Sequence, residues 1–280
     1  MYREGIEVKR DTNAGILLEY PSCLEVVEKL FPDSCERIYY PNDEDSVVHV
    51  NREGIDVAFI AGHGASIAAC MAERLRVYGA QALVRIGTCG ALSKTVRLWE
   101  PIITTACFSD EGTSRHYLPE GFPIVSNPAL NLALREHFEK SGITPQEGIS
   151  ITTDGRWRED PGLFKKLHEL GVVSVEMETA AILAVAQYRK LFGAAINIAT
   201  DLPADVESEH DFKGIPDREN YDENFDKSLR IIIPIVIDTL VAFQRVVLAS
   251  HLGKENGITF LMILRRWYLQ PLCQMREFYR

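Results

Sequence analysis

Short apolar runs alternate with segments of helical period along the chain. Residues 16–18, 57–61, 82–86, 102–105, 149–152, 172–175 and 195–199 read as strands. Between Gly64 and Gly79, the apolar residues Ile67, Met71, Leu75 and Tyr78 fall on one helical face, with Glu73, Arg74 and Arg76 elsewhere. Residues 128–141, 161–170 and 178–191 also read as helices. A last amphipathic helix carries Val236, Leu240, Phe243 and Val247, with Pro234 near its first turn. This alternation predicts an α/β fold: a single domain with a central mixed β-sheet flanked by helices, over residues 1–250. Residues 202–222 break the pattern with Pro203, Gly214, Pro216 and many acids, which suits a lid or a binding loop. Residues 251–280 form a tail of unassigned role. Its apolar run 258–264 precedes Arg265, Arg266, Trp267 and Tyr268, and reads as an extra packed element or an interface segment.

Composition narrows the function. Lys plus Arg number 30 against 40 Asp plus Glu, a net charge of −10, so nucleic acid and anionic membranes are not expected partners. The 6 cysteines include no C-x-x-C pair and no clustered His, so neither a metal nor a disulfide framework is expected. No signal peptide is visible, and a cytoplasmic location is expected.

Chemistry-bearing residues collect at the predicted strand ends, where ligands of open α/β sheets bind. Gly62-His63-Gly64 lies between a strand and a helix, as turn punctuation or as an anion site at a helix start. Arg85 sits inside an apolar strand and needs a partner, either a fixed oxyanion or an internal carboxylate such as a Glu. The turn Gly87-Thr88-Cys89-Gly90 favours the oxyanion, with Thr88 completing its cradle. Glu176-Met177-Glu178 stands where a strand meets a helix. Its acids either complement the helix dipole or grip vicinal sugar hydroxyls. Asp201 ends a strand, as a cap or as an acid that protonates a departing base. In 152–160, Trp157 could stack on a base, and Arg156 or Arg158 could bond a carbonyl.

Together these segments resemble the nucleoside phosphorylase family of the purine and uridine type. Residues 85–92 (RIGTCGAL) followed by 103–125 (ITTACFSDEGTSRHYLPEGFPIV) are closest in order to uridine phosphorylases, and the likeness covers roughly 47–249. The resemblance implies phosphate-dependent cleavage of a ribonucleoside to free base and ribose 1-phosphate. Inorganic phosphate is then a co-substrate, no cofactor is needed, and the enzyme is a homo-oligomer built from dimers, often a hexamer. It places Gly64, Arg85 and Thr88 on phosphate, Met177, Glu178 and His116 on ribose, and Gly90, Arg156, Trp157 and Arg158 near the base. It makes Asp201 and Arg85 catalytic. His116 carries over through a G-x-S-x-H pattern, with a structural loop histidine as the alternative.

Three departures bear on mechanism. The family's N-terminal Gly-Asp-Pro-x-Arg loop is expected at 19–24, which reads EYPSCL. The Arg lent by a neighbouring subunit is expected at 42–46, which is acidic. The uridine-type Gln-x-Arg base reader is missing. Phosphorolysis of uridine-type leads, with purine as the other base class. The alternatives are a hydrolytic nucleosidase on the same fold and a non-catalytic nucleoside-binding protein.

Overall fold

A computed structural model describes residues 11–39, 46–93, 95–158, 160–201 and 219–254. Of the expected lid at 202–222, residues 202–218 lie outside the described residues, as do the acidic 42–45 and the tail beyond 254, whereas Tyr221 and Asp222 already open the last helix. The elements, in chain order, begin with β1 (Ala14–Leu18), α1 (Ser22–Leu30), β2 (Cys35–Tyr39), β3 (Ser46–Arg52) and β4 (Ile55–Ala61). Next come α2 (Ala65–Val77), β5 (Ala82–Ala91), β6 (Pro101–Asp110), β7 (Ile124–Val125), α3 (Pro128–Lys140) and β8 (Gln146–Thr153). The last are α4 (Pro161–Glu169), β9 (Val172–Glu176), α5 (Thr179–Arg189), β10 (Phe192–Asp201) and α6 (Tyr221–Lys254). Every strand and helix expected above is present. The hairpin β2–β3, the two-residue β7 and helix α1 are additions.

The sheet is mixed, as expected. It runs β10-β6-β8-β9-β5-β1-β4-β3-β2, and β10 also pairs β5. That second pairing closes β5, β10, β6, β8 and β9 into a small barrel, and β1 to β4 extend from it. Helices cover both faces because strand side chains alternate. Ile16, Phe59, Val84 and Ile196 pack with residues of α1, α3 and α6. Leu17, Ala58, Ile60 and Leu83 face the other way, onto α2 and α5. Arg85 follows Leu83 on that second face by strand period.

Local sequence explains the helix starts. Asn127 accepts from the Ala129 and Leu130 N–H groups ahead of α3, with Pro128 in the first turn. Asp160 and Pro161 do the same for α4. Two expectations are corrected. Ile67 is 46% exposed, because the small residues Ala65, Ala68, Ala69 and Ala72 let α2 pack closely along a different stripe. Pro234 lies inside α6 rather than near its start, since Leu229, Ile232 and Ile233 carry the buried face back towards Tyr221. By length and composition α6 could cross a membrane, but 67% of its most apolar window is buried in the domain. It is a core helix here.

Candidate active site

The site forms where β5 changes partner. Along one edge β5 pairs β10 from Ala82 to Gly90. Along the other edge it pairs β1 only as far as Ile86, and β9 only from Gly90. Gly87, Thr88 and Cys89 therefore face a gap between β1 and β9, the kind of switch point at which open sheets bind ligands. Glu19, the first residue after β1, fills that gap. Its carboxylate Oε2 accepts from the Thr88 backbone N–H at 2.6 Å and from the Thr88 hydroxyl at 2.7 Å.

Arg85 is 2% exposed and reaches along β5 over Gly87. A Cβ on Gly87 would stand 2.7 Å from the guanidinium, so glycine makes the channel for it. Its Nη1 donates to Asn197 Oδ1 at 2.6 Å, and its Nη2 donates to Glu178 Oε2 at 2.6 Å. Its Nε lies 3.4 Å from Glu176, and its Nη2 lies 4.0 Å from Glu19. Of the two partners weighed for Arg85, internal carboxylates are present, three of them. Burial opposes the charge on Arg85, but Glu178, Glu176 and Glu19 outweigh it and raise its pKa. Asn197 in turn donates to Thr104 and Ser150 at 3.1 Å each, which ties the site to the polar interior of the barrel.

The two acids of the triplet divide the readings offered for them. Glu176 accepts from the backbone N–H groups of Glu178 and Thr179 at 2.8 and 2.7 Å and from the Thr152 hydroxyl. It anchors the start of α5 and satisfies the dipole. Glu178 turns to the pocket. It is 2% exposed, and its Oε1 accepts from the Gly64 N–H at 2.7 Å. Gly64 has φ of 87°, a conformation that suits glycine and aims this N–H inward. Burial raises the Glu178 pKa, Arg85 opposes the rise, and Glu176 and Glu19 add to it.

His63 bridges the two carboxylates of the gap. Its Nδ1 lies 3.5 Å from Glu19 Oε1 and 3.3 Å from Glu178 Oε1, and its ring stacks on Tyr20. Contact with Glu19 raises its pKa, against partial burial. Burial alone would raise Glu19, yet His63, Arg85 and Thr88 hold it down at about 2. Across the pocket, an extra residue at Thr200 shifts the register of β10 against β5 and re-aims Asp201. Asp201 is 8% exposed, and burial raises its pKa despite a hydrogen bond from Thr200. Cys89 also lines the pocket, and burial pushes its thiol well up.

Arg85, Thr88, Gly90, Arg156, Met177, Glu178 and Asp201 thus line one pocket, as the sequence reading groups them. Gly64 stands behind it, with its N–H committed to Glu178. Three candidates do not join. His116 is exposed on the turn Ser114–His116, and neither it nor Trp157 or Arg158 lines this pocket. Trp157 is 87% exposed. Two contributors escaped the sequence reading, Glu19 and Asn197. Each is a lone polar residue at or in an apolar strand, the only signal available for it. Among the described residues, no three His, Cys, Asp or Glu side chains gather as a metal site.

The family described as Phosphorylase superfamily matches residues 29–237. Uridine phosphorylase of Haemophilus influenzae is 26% identical over 199 residues, which are 66% of this chain and 76% of the relative. A DeoD-type purine nucleoside phosphorylase of Shewanella baltica is 31% identical over 131 residues, 45% of this chain and 56% of the relative. The chain thus matches little more than half the length of that purine relative. Among solved structures, uridine phosphorylase from Vibrio fischeri superposes with a TM-score of 0.73 at 20% identity, covering 86% of this chain and all of that one. Purine nucleoside phosphorylase from Toxoplasma gondii, in complex with immucillin-H, gives 0.72 at 22% identity, covering 85% and 94%. These structures share the fold.

Proposed function

The chain belongs to the phosphorylase superfamily, whose relatives here are pentosyl-transferring enzymes, and on that premise we propose that it cleaves the N-glycosidic bond of a ribonucleoside. The observation that carries the proposal is Glu178, a buried carboxylate fixed by Arg85 and Gly64 and placed in one pocket with Asp201. In this reading Glu178 accepts from the ribose hydroxyls, and its charge favours an oxocarbenium-like centre. Met177 packs on the sugar. Asp201, with its pKa raised, protonates the leaving base. Arg156 stands at the mouth and bonds a carbonyl of the base.

A protonated carboxylic acid helps a purine more than uracil. A purine leaves with a proton on its other imidazole nitrogen, whereas uracil leaves as an anion spread over two carbonyls. Asp201 therefore favours a purine leaving group, and uridine, favoured by the motif order of 103–125, is the second reading. Release of free base from a panel of inosine, adenosine, uridine and their deoxy forms tests both. Glu178→Gln should shrink the preference for ribo- over deoxyribonucleosides, a loss of about 1.5–3 kcal/mol for a hydrogen bond to a charged group. An intact preference in the folded variant removes Glu178 from the ribose.

A further inference from the structure

We infer that Glu19 is a built-in anion seated in the acceptor subsite, so that water and not phosphate receives the ribosyl group. The inference rests on the functional reading above for its chemistry, and on Glu19 itself for its geometry. An oxyanion at the gap in β5 has a defined set of donors: the Thr88 N–H, the Thr88 hydroxyl, His63 and Arg85. The Glu19 carboxylate already engages or faces all four, at 2.6, 2.7, 3.5 and 4.0 Å. One carboxylate satisfies the two Thr88 donors completely, and nothing remains of them for a second anion.

The backbone holds Glu19 in this place. The Leu18 carbonyl accepts from the Gly62 N–H at 2.9 Å, which fixes the end of β1. The Cys23 and Leu24 N–H groups donate to the Tyr20 and Pro21 carbonyls at 2.9 and 3.0 Å, which turns the chain directly into α1. Tyr20 is clamped by its stack on His63. A side chain between two such fixed points has little freedom to swing out. Its burial, 5% side-chain exposure, agrees.

Charge points the same way. Arg85 already faces Glu19, Glu176 and Glu178, and His63 faces two of these. A phosphate brought to Thr88 adds at least one negative charge beside three carboxylates, with no further buried cation to meet it among the described residues. Water adds none. The reaction then balances simply. The C1′–N bond breaks, and its electron pair goes to the base nitrogen system, which takes a proton from Asp201. The water oxygen bonds to C1′, and the water proton passes to Glu19. A weakly basic carboxylate suffices, because a water bonding to an oxocarbenium-like carbon becomes strongly acidic as it does so.

The test uses inorganic phosphate as the probe, with the wild type, Glu19→Gln and Glu19→Ala compared by calorimetry and by the shift of melting temperature. The wild type should show no saturable phosphate binding. Glu19→Ala should bind phosphate at least about a hundredfold more tightly, the scale of removing one unit charge a few ångströms away in a partly buried site. Glu19→Gln, which keeps the shape and loses the charge, should fall between. Product analysis in phosphate buffer should find ribose and not ribose 1-phosphate from the wild type. Saturable phosphate binding by the wild type overturns the inference. So does a folded Glu19→Ala that gains none, since the Glu would then not be the occupant that matters. Absence of turnover with every nucleoside would defeat the functional reading, while phosphate binding still decides who owns the subsite.

Discussion

The two sides of the pocket are built by opposite means. On the side proposed for acceptor and sugar, Glu19, Arg85, Thr88 and Glu178 are all buried and linked to one another, although they come from the end of β1, from β5 and from the residue before α5. On the side proposed for the base, Arg156 lies in a three-residue turn, 156–158, with no buried member, and Asp201 is the only buried polar contributor named there. A preorganised side needs no reorganisation when charge develops on the sugar, which is where electrostatic catalysis gains most. An exposed side must order its long side chains on binding, at a cost of about 0.5–1.5 kcal/mol each. In the proposed reaction the fold thus fixes what happens to the ribose, and the choice of base falls to buried Asp201 and exposed Arg156.

Removing Arg85 attacks the preorganised side at its centre and should have the largest effect. Arg85→Met leaves Glu176 and Glu178 buried without their cation. Breaking a buried ion pair from one side costs about 3–5 kcal/mol. Denaturant unfolding should show a loss of that size. Arg85→Lys keeps the charge, but an ammonium cannot fork between Asn197 and Glu178, so it should recover only part of the loss. A stability unchanged in Arg85→Met would mean that the network is ornamental, and the contrast between the two sides would collapse.

Asp201 sharpens the comparison, because it is the buried member of the exposed side. Asp201→Asn should slow release of a purine by about 10²–10⁴-fold and leave uridine nearly unaffected. The pH profile carries the sign. Burial raises the Asp201 pKa, so the acid stays protonated further up the pH scale than an ordinary Asp. Turnover of inosine should fall as pH rises through that raised pKa, and this limb should vanish in Asp201→Asn. Equal losses on inosine and uridine would make Asp201 a structural end to β10 instead.

The contrast also explains what could be read from the sequence. Arg85, Glu178 and Asp201 announce themselves because a charge inside or at the end of an apolar strand is costly without a purpose. The choice among their partners was not legible. Arg85 meets Asn197 and Glu178 from 112 and 93 residues away, and only the closed barrel brings them together. Glu19 shows the same limit more sharply. It stands where an expected loop motif fails, and its use depends on the partner change in β5, which no local pattern encodes. In the scaffold, β1, β4, β5 and β10 read clearly because they are mostly apolar and almost wholly buried. The edge strand β2 is half-exposed throughout and has no clean alternation. Helix α1 is only nine residues long and starts directly after Pro21, so its short apolar stripe is lost beside that break.

The smallest effect should come from Trp157. At 87% exposure it packs on little, so Trp157→Ala should leave stability within about 0.5 kcal/mol of the wild type, the range of ordinary surface changes. If the base side gains its order from the ligand, the indole folds over the base when the nucleoside binds. Stacking of that kind contributes about 0.5–1.5 kcal/mol. KM should then rise by about two- to tenfold, with kcat little changed, because the base is held equally in the ground and transition states. Thermal unfolding and a KM–kcat pair on one nucleoside are enough to decide. A fall in melting temperature would show that Trp157 is part of the scaffold. An unchanged KM would remove it from the site and reduce the base side to Arg156 and Asp201. In that case one exposed cation would face the base, and discrimination among bases would rest on the proton that Asp201 delivers.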